Sequence, residues 1–495
     1  MEKVSGRFNL IISKKNEVHI IIDTEPSIGR ELSDFFTFEV PGARFMPSYK
    51  KRIWDGKIRL YNQISGEIYF GLVPYIEEFA KRNDIDIEYK KGIKNESPAE
   101  HRVLDGFIRT IKPKSNGKTL QLRDYQRDAV FHAIRNNRSL LLSPTASGKS
   151  LIIYLLTRWY ESYRVLILVP TTSLVEQMYS DFIDYGYVGA KMQKIYQGHS
   201  KEIQHEVTIS TWQSLYKMPR KFFEQFGCIL GDEVHLFKAK SLTNIMNKMH
   251  LTQYRHGFTG TLDGTQTHRL ILEGLFGSVN KVTSTKDLME KKTLAKLKIK
   301  CIVLQYPQSD CKFMKDQSYQ DEVDLIVRDE RRNKFILNLT KHLKGNTLLL
   351  FQFVEKHGSI LYDMIDKELG KDRKVFYVYG GTDTQTREEI RSITEGESDA
   401  IIVASYGTFS TGINIKNLHN VIFSSPSKSR IRILQSIGRG LRVTNDKTGA
   451  TLFDISDDFT YKSKQNFTLR HFLERINIYN EEEFDYEIKN LPIES

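Results

Sequence analysis

The chain has 495 residues, 40% hydrophobic and 27% charged, with a formal net charge of +12 and a pI near 9.2. That length predicts two or three domains; no apolar run reaches the roughly eighteen residues of a membrane-crossing helix, and the opening MEKVSGRFNLIISKKNEV alternates like a strand and shows no export signal. Cys228, Cys301 and Cys311 are odd in number and lack zinc-type pairing, which points to a reducing compartment and structural roles, while the surplus of Lys and Arg suits a polyanionic partner whose counterions it displaces.

Residues 1–95 alternate apolar and polar positions in EVHIIID and EIYFGLVPYI and predict a small α+β domain. Within it Lys50, Lys51, Arg52, Lys57 and Arg59 interleave with aromatics, a mixture suited to gripping phosphates and stacking bases. Trp54, Lys57 and Arg59 are the candidate nucleic-acid contacts there. Closure of the small domain's core is the competing reading for Trp54, and the spacing of Phe35, Phe36 and Phe38 fits core. The polar stretches KKGIKNESPAEHR and KPKSNGK mark a linker or loop over 96–118. From 119 to 292 the apolar runs SLLLSP, VLILVP, VTIS and CILGDE alternate with helical segments, the rhythm of a parallel α/β sheet. The rhythm resumes over 293–495 with NTLLLFQF, KVFYVYG, AIIVASY and NVIFSSP, so two α/β units stand in tandem without obvious sequence repetition. The final HFLERINIYNEEEFDYEIKN reads as a charged helical tail. Its Glu487 and Lys489 lack the acidic partner a nuclease needs.

Three motifs carry chemistry. In SLLLSPTASGKSLIIYLL a strand, a small-residue turn and a helix follow one another, so the backbone N–H groups of Thr145, Ala146, Ser147 and Gly148 can cradle phosphates. Lys149 can then reach the β and γ phosphates and Ser150 can hold Mg²⁺. Ser143 replaces the first glycine of the usual pattern, which makes the match partial and leaves a plain structural turn as the alternative. In FGCILGDEVHLF, Asp232 follows an apolar strand and can hold Mg²⁺, Glu233 can orient and deprotonate a water, and His235 can hydrogen-bond across to the second unit. In LQSIGRGLR, Gln435, Gly438, Arg439 and Arg442 sit at helical spacing, where one or both guanidinium groups can face the γ-phosphate. A solvated basic face is the alternative for the arginines, weakened because all three motifs occur in order.

On these residues the chain resembles a superfamily 2 DExH helicase, and within that group it is most similar to the phage UvsW-type recombination and branch-migration helicases. Further matches are QLRDYQRDAV, VPTTSLVEQ, TISTWQS, FTGTL, LLLFQFVEK and ASYGTFSTGINI, so the resemblance covers nearly the whole chain. It implies that Gln126 reads the adenine edge with Arg123 close by, and that Thr171, Thr211, Trp212 and Gln213 touch the nucleic-acid backbone. By the same resemblance Thr259–Leu262 couple hydrolysis to movement, and Thr411, Gly412 and Asn414 line the inter-domain cleft. Many members have Asp at the position of Asn414 and glycine at that of Ala146, whose loop here must avoid positive φ. The segment ELSDFFTFEVPGARFMPSYKKRIWDGKIRLYN resembles the small domain that precedes the family's motor.

The resemblance implies two RecA-like domains enclosing ATP and Mg²⁺, and a DNA helicase working on single-stranded and branched DNA. The expected substrates are forks, Holliday junctions, D-loops and R-loops in recombination, repair and replication-fork rescue, in the cytoplasm of a host. A duplex-translocating ATPase without strand separation, an RNA helicase, and a binding protein with a vestigial ATP site remain the competing readings. No protein partner is visible, and a monomer is one reading.

Overall fold

The computed structural model describes residues 9–493 apart from 41, 95–98, 116, 145–146, 237–238, 263–265, 292–293, 413–414, 416 and 427–448. The chain divides into two units, one of residues 1–143 with 148–282, the other of 283–495 with 144–147.

The first unit opens with β1 (Asn9–Lys14), β2 (His19–Asp23), α1 (Pro26–Phe35), β3 (Thr37–Glu39), α2 (Pro47–Lys50), β4 (Lys57–Arg59), β5 (Glu67–Tyr69), α3 (Val73–Arg82) and β6 (Asp86–Tyr89). Four strands pair in the order β5-β2-β1-β6, and β3 pairs separately with β4. Strand alternation turns Leu10, Ile12, Ile20 and Ile22 inward onto Leu32, Phe36 and Ile76. Phe36 is fully buried there, with Phe35 and Phe38 packed against the same cluster, as their spacing predicts.

This small domain is joined to the motor domain that follows by a core-like seam. Val18, on the β1–β2 turn, is buried in the motor domain's own hydrophobic cluster. The Glu17 N–H donates to the His250 carbonyl at 2.9 Å. Arg138 donates to the Glu17 carboxylate at 2.5 Å while lying over the Phe70 ring, so its buried charge is paired. Tyr75 Oη donates to the buried Glu273 at 2.5 Å.

Where the sequence suggested linker, α4 (His101–Ile111) packs on the motor domain. Leu104 is buried in that domain's core, His101 stacks on Phe131, and Arg127 makes a two-point ion pair with Asp105 at 2.8 and 2.7 Å. A small hairpin of β7 (Lys114–Ser115) and β8 (Lys118–Thr119) completes the segment.

The motor sheet comprises β9 (Arg138–Leu142), β10 (Val165–Val169), β11 (Met192–Ile195), β12 (Val207–Thr211), β13 (Cys228–Gly231), β14 (Tyr254–Thr259) and β15 (Val279–Lys281), with all neighbours parallel. Continuous apolar strands such as VLILV are buried on both faces because helices cover both sides of such a sheet. Helices α5 (Asp124–Asn136), α6 (Lys149–Tyr160), α7 (Thr172–Asp184) and the one-turn α8 (Trp212–Leu215) belong to it.

The second unit builds another all-parallel sheet from β16 (Lys296–Gln305), β17 (Thr347–Phe351), β18 (Val375–Val378), β19 (Ile401–Ser405), β20 (Asn420–Phe423), β21 (Gly449–Asp458) and β22 (Tyr486–Pro492). Numbered one to seven along the chain, the strands of both sheets lie in the same order, 3-4-2-5-6-1-7. The fold is therefore two tandem parallel-sheet domains of the RecA-like kind behind a small α+β domain. The second unit starts at 283, ahead of the 293 read from sequence. The stretch read as a helical tail is a helix, Phe467–Glu481, followed by β22, which pairs with β16 and carries Glu487 and Lys489. All three cysteines are buried and unpaired.

Candidate active site

Gly148 caps the start of α6 at φ +81, a left-handed backbone that favours glycine. Space forbids a side chain there as well, since a Cβ would lie 2.2 Å from Gln126 Nε2. The buried Gln126 is thus held against the phosphate loop, with its Oε1 accepting from the Arg123 N–H at 3.0 Å and the Arg123 guanidinium donating to Tyr125 Oη at 2.8 Å. Ser147 is buried and its N–H donates to the Pro144 carbonyl at 3.2 Å.

The next residue, Lys149, reaches the end of β13. Its Nζ bonds to Glu233 Oε1 and lies 3.5 Å from Asp232 Oδ1. Burial disfavours the ammonium, yet the two carboxylates hold its pKa above the ordinary value. The carboxylates themselves diverge. Burial pushes Asp232 up to about 6, with Lys149 opposing and Glu233 adding to the rise. Burial works against the Glu233 charge too, but Lys149 and His235 hold that carboxyl below its usual range. One group is firmly ionised, as a base must be, and the other gains from a cation. Glu233 also sits at φ +48, a strained left-handed conformation that a functional site tolerates in a side-chain-bearing residue.

Asp232 and Ser150 offer hard oxygen donors, and Mg²⁺ takes one or two such protein ligands and completes its shell with phosphate oxygens and water. The residues fit the ion.

His235 Nδ1 lies 2.5 Å from Thr259 Oγ1 and 3.3 Å from Glu233 Oε2. The Thr259 hydroxyl donates to the Thr261 carbonyl at 2.6 Å, so the imidazole N–H is the donor to Thr259. His235, read from sequence as reaching toward the second unit, thus makes this bond inside the first, tying the turn after β13 to the FTGTL segment that begins at the end of β14. Sequence reasoning missed Tyr185, whose Oη lies 2.8 Å from Ser150 Oγ although 35 residues separate them. No sequence signal marks it, since an aromatic just past a helix reads as packing.

Parallel pairing sets Val169 beside Thr211, which brings the candidate strand-gripping residues together at the carboxyl ends of β10 and β12. Thr171 caps α7, its Oγ1 accepting from the Leu174 N–H at 3.3 Å. Gln213 Nε2 donates to the Pro170 carbonyl at 3.0 Å, Thr211 Oγ1 lies 2.8 Å from Ser214 Oγ, and the half-buried Trp212 meets the edge of Tyr216.

In the small domain Lys57 and Arg59 are exposed on β4. Trp54 is half-buried and stands outside the core cluster, its indole N–H donating to the Lys57 carbonyl at 2.8 Å, which overturns the reading that it closes the core. In the second unit Thr411 and Gly412 end the helix Tyr406–Gly412. Thr145, Ala146, Asn414, Gln435, Gly438, Arg439 and Arg442 lie outside the described residues.

Three family models match the chain: the N-terminal domain of the DNA helicase UvsW over 11–90, the res subunit of type III restriction enzymes over 119–264, and the helicase conserved C-terminal domain over 331–444. The chain is 37% identical to the ATP-dependent DNA helicase uvsW of Enterobacteria phage T4, over 96% of this chain and 98% of that protein. The chain belongs to the UvsW family of superfamily 2 helicases. A crystal structure of T4 UvsW aligns with a TM-score of 0.53 at 34% identity, covering 98% of this chain and 100% of that one. A more distant relative of this family member, the DNA 3'-5' translocase XPB2 of Sulfurisphaera tokodaii, is 24% identical over 71% of this chain and 84% of its own length.

Proposed function

We propose that the chain is an ATP-dependent DNA helicase that translocates on DNA and unwinds or branch-migrates forks, Holliday junctions, D-loops and R-loops in recombination, repair and replication-fork rescue, within the cytoplasm of a host. The observation that carries this is Lys149 held between Asp232 and Glu233, in a chain so closely related to a DNA helicase along its length. The described helices include none long and apolar enough to cross a membrane.

In the proposed cycle Lys149 exchanges its carboxylate partners for the β and γ phosphates, beside the backbone N–H groups of the loop at 145–148. Asp232 and Ser150 would hold Mg²⁺, which when bound would offset charge on the phosphate oxygens. Glu233, kept ionised, orients the attacking water and accepts its proton. Gln126 and Arg123 border the base, and Gly412, Asn414 and Gln435 complete the nucleotide's surroundings. Arg439 and Arg442 stabilise charge that develops on the transferred phosphoryl group. The link from Glu233 through His235 to Thr259 lets the segment after β14 sense hydrolysis, while Thr171, Thr211, Trp212 and Gln213 hold a strand's backbone and Trp54, Lys57 and Arg59 hold DNA on the small domain.

The test is the rate of ATP hydrolysis with Mg²⁺ alone, then with single-stranded DNA, a four-way DNA junction or matched RNA, with Lys149→Ala as the blank. Stimulation by DNA, strongest on branched molecules and lost in the variant, is the expected result; stimulation by RNA alone, or no hydrolysis at all, would overturn it. The match to a restriction res subunit and to a translocase favours one second reading, movement on duplex without strand separation. Displacement of a labelled strand from a tailed duplex separates the two.

A further inference from the structure

Between β3 and β4 the small domain carries a knob, residues 42–56, whose backbone is firmly built. Gly42 and Gly56 adopt φ +75 and +78, and a Cβ at Gly56 would press on Ala43 and the Tyr49 ring at 3.0 Å. The Val40 N–H donates to the Gly56 carbonyl at 2.9 Å, and the N–H groups of Lys51, Arg52 and Ile53 donate to the carbonyls of Pro47, Tyr49 and Ser48. On this framework the large apolar side chains turn outward. Phe45 is 71% exposed and Ile53 77%, with Met46 at 40% and Tyr49 at 41% beside them. Single exposed apolar residues are ordinary, but four on one short ordered loop mark an interaction surface.

The charges around it identify the partner. Arg44, Lys50, Lys51, Arg52, Lys57 and Arg59 lie within 42–59 against one acid, Asp55, which is itself paired with Arg59 at 2.5 Å. An apolar tip on a cationic base fits a partner with an anionic backbone and flat apolar faces, which describes nucleobases exposed where a duplex opens. The seam through Val18, Glu17–Arg138 and Tyr75–Glu273 joins the knob's domain to the sheet that carries Thr171 and Thr211. A strand drawn by the motor domain is thus drawn past an element anchored to that same domain. We propose that Phe45 and Ile53 insert between bases at the branch point of DNA, making the knob the wedge that parts the strands. Side chains of this kind unstack base steps when flanking cations hold the phosphates.

This rests on the helicase reading above and is tested separately from it. In a forked DNA with 2-aminopurine at the branch point, the full chain is expected to raise fluorescence on binding, before ATP is added. In Phe45→Ala/Ile53→Ala that rise shrinks about fivefold or more, the scale of one lost stacking contact, and the base pairs opened per ATP hydrolysed fall in step. Lys50→Glu/Lys51→Glu weakens fork binding itself, more at low salt than at high salt. Both apolar side chains are largely exposed, so the variant's melting temperature should match that of the parent chain. Wild-type fluorescence and coupling in the double variant would overturn the wedge, as would binding of the knob to phosphatidylglycerol vesicles in preference to forks. Absence of DNA-stimulated ATP hydrolysis in the parent chain would instead sink the helicase reading.

Discussion

The two sheets share one strand order and end in opposite chemistry. In the first, strand one runs into Gly148 and Lys149, and strand five into Asp232 and Glu233. In the second, strand one runs into Tyr306 and Pro307, and strand five into Ser424 and Ser425. There the buried charges close on themselves. Arg332 donates to Asp457 at 2.7 Å and to the Ser424 carbonyl at 2.8 Å, Tyr306 donates to Asp457 at 3.0 Å, and His357 lies 2.9 Å from Ser425. A parallel sheet of this order offers a crevice at its carboxyl ends each time it is built. Among the described residues, the first crevice holds a cation and two carboxylates that a phosphate and a metal can re-partner, whereas Arg332 and Asp457 in the second pair with each other and hold the domain together.

Glu233→Gln tests that contrast most severely. Loss of the base should lower ATP turnover by about 10²–10⁴-fold while a fluorescent non-hydrolysable ATP analogue still binds. Unchanged phosphate release would remove Glu233 from its role. The mirror experiment, Asp457→Asn, leaves Arg332 buried without its counter-charge and should cost about 3–5 kcal/mol of stability, read as a lower melting temperature. Arg332→Met/Asp457→Leu should recover much of that loss, since a buried pair exchanged whole for apolar side chains is often neutral.

Acid should separate the sheets next. Burial raises Asp232 from an ordinary 3.8 to about 6. The folded chain therefore binds this proton more tightly than the unfolded one. Ionisation of Asp232 costs stability above about 6, and that cost is relieved as pH falls from there toward 3.8. Nucleotide binding runs the other way, because Mg²⁺ takes the ionised form. Affinity for Mg²⁺ with the analogue should fall as pH drops through about 6, and Asp232→Asn should flatten the profile. A profile equally steep in the variant would assign the titration to another group.

Gly148→Ala comes lower in the series. The left-handed backbone costs an alanine roughly 1–2 kcal/mol, and the added Cβ displaces Gln126 from 2.2 Å away. Weaker nucleotide binding and a melting temperature lowered by a few degrees are expected; equal binding would show that Gln126 has room to move.

What the sequence disclosed follows from how local each signal is. The phosphate loop and Asp232-Glu233 were readable because a strand, a turn and the reacting residues are contiguous. Helix α4 was hidden by polar flanks, although Leu104, Phe107, Ile108 and Ile111 keep helical spacing and do pack on the motor domain. Strand β22 was hidden because its partner is remote, Ile299 pairing with Tyr486. The competing reading of Trp54 as core fails because its indole N–H is satisfied by one backbone carbonyl at the surface and not within the core.

Tyr185→Phe carries the smallest expected effect and the finest distinction. A serine hydroxyl has one hydrogen and two lone pairs, so Ser150 can give a lone pair to a metal only when its hydrogen points elsewhere. Tyr185 Oη, 2.8 Å away, can accept that hydrogen. Burial pushes its pKa up to about 12, which keeps the phenol neutral and the bond available. Its backbone is fixed in turn, its carbonyl accepting from Tyr154 Oη at 3.2 Å and from the Lys114 N–H at 3.3 Å. Removing the oxygen should cost about 1 kcal/mol, seen as roughly fivefold more Mg²⁺ for half-maximal binding of the analogue. Ser150→Ala should show a larger shift in the same direction. If Tyr185→Phe matched the parent chain while Ser150→Ala did not, Tyr185 would be packing against Tyr154 and nothing more, and the metal ligand would be oriented by the loop alone.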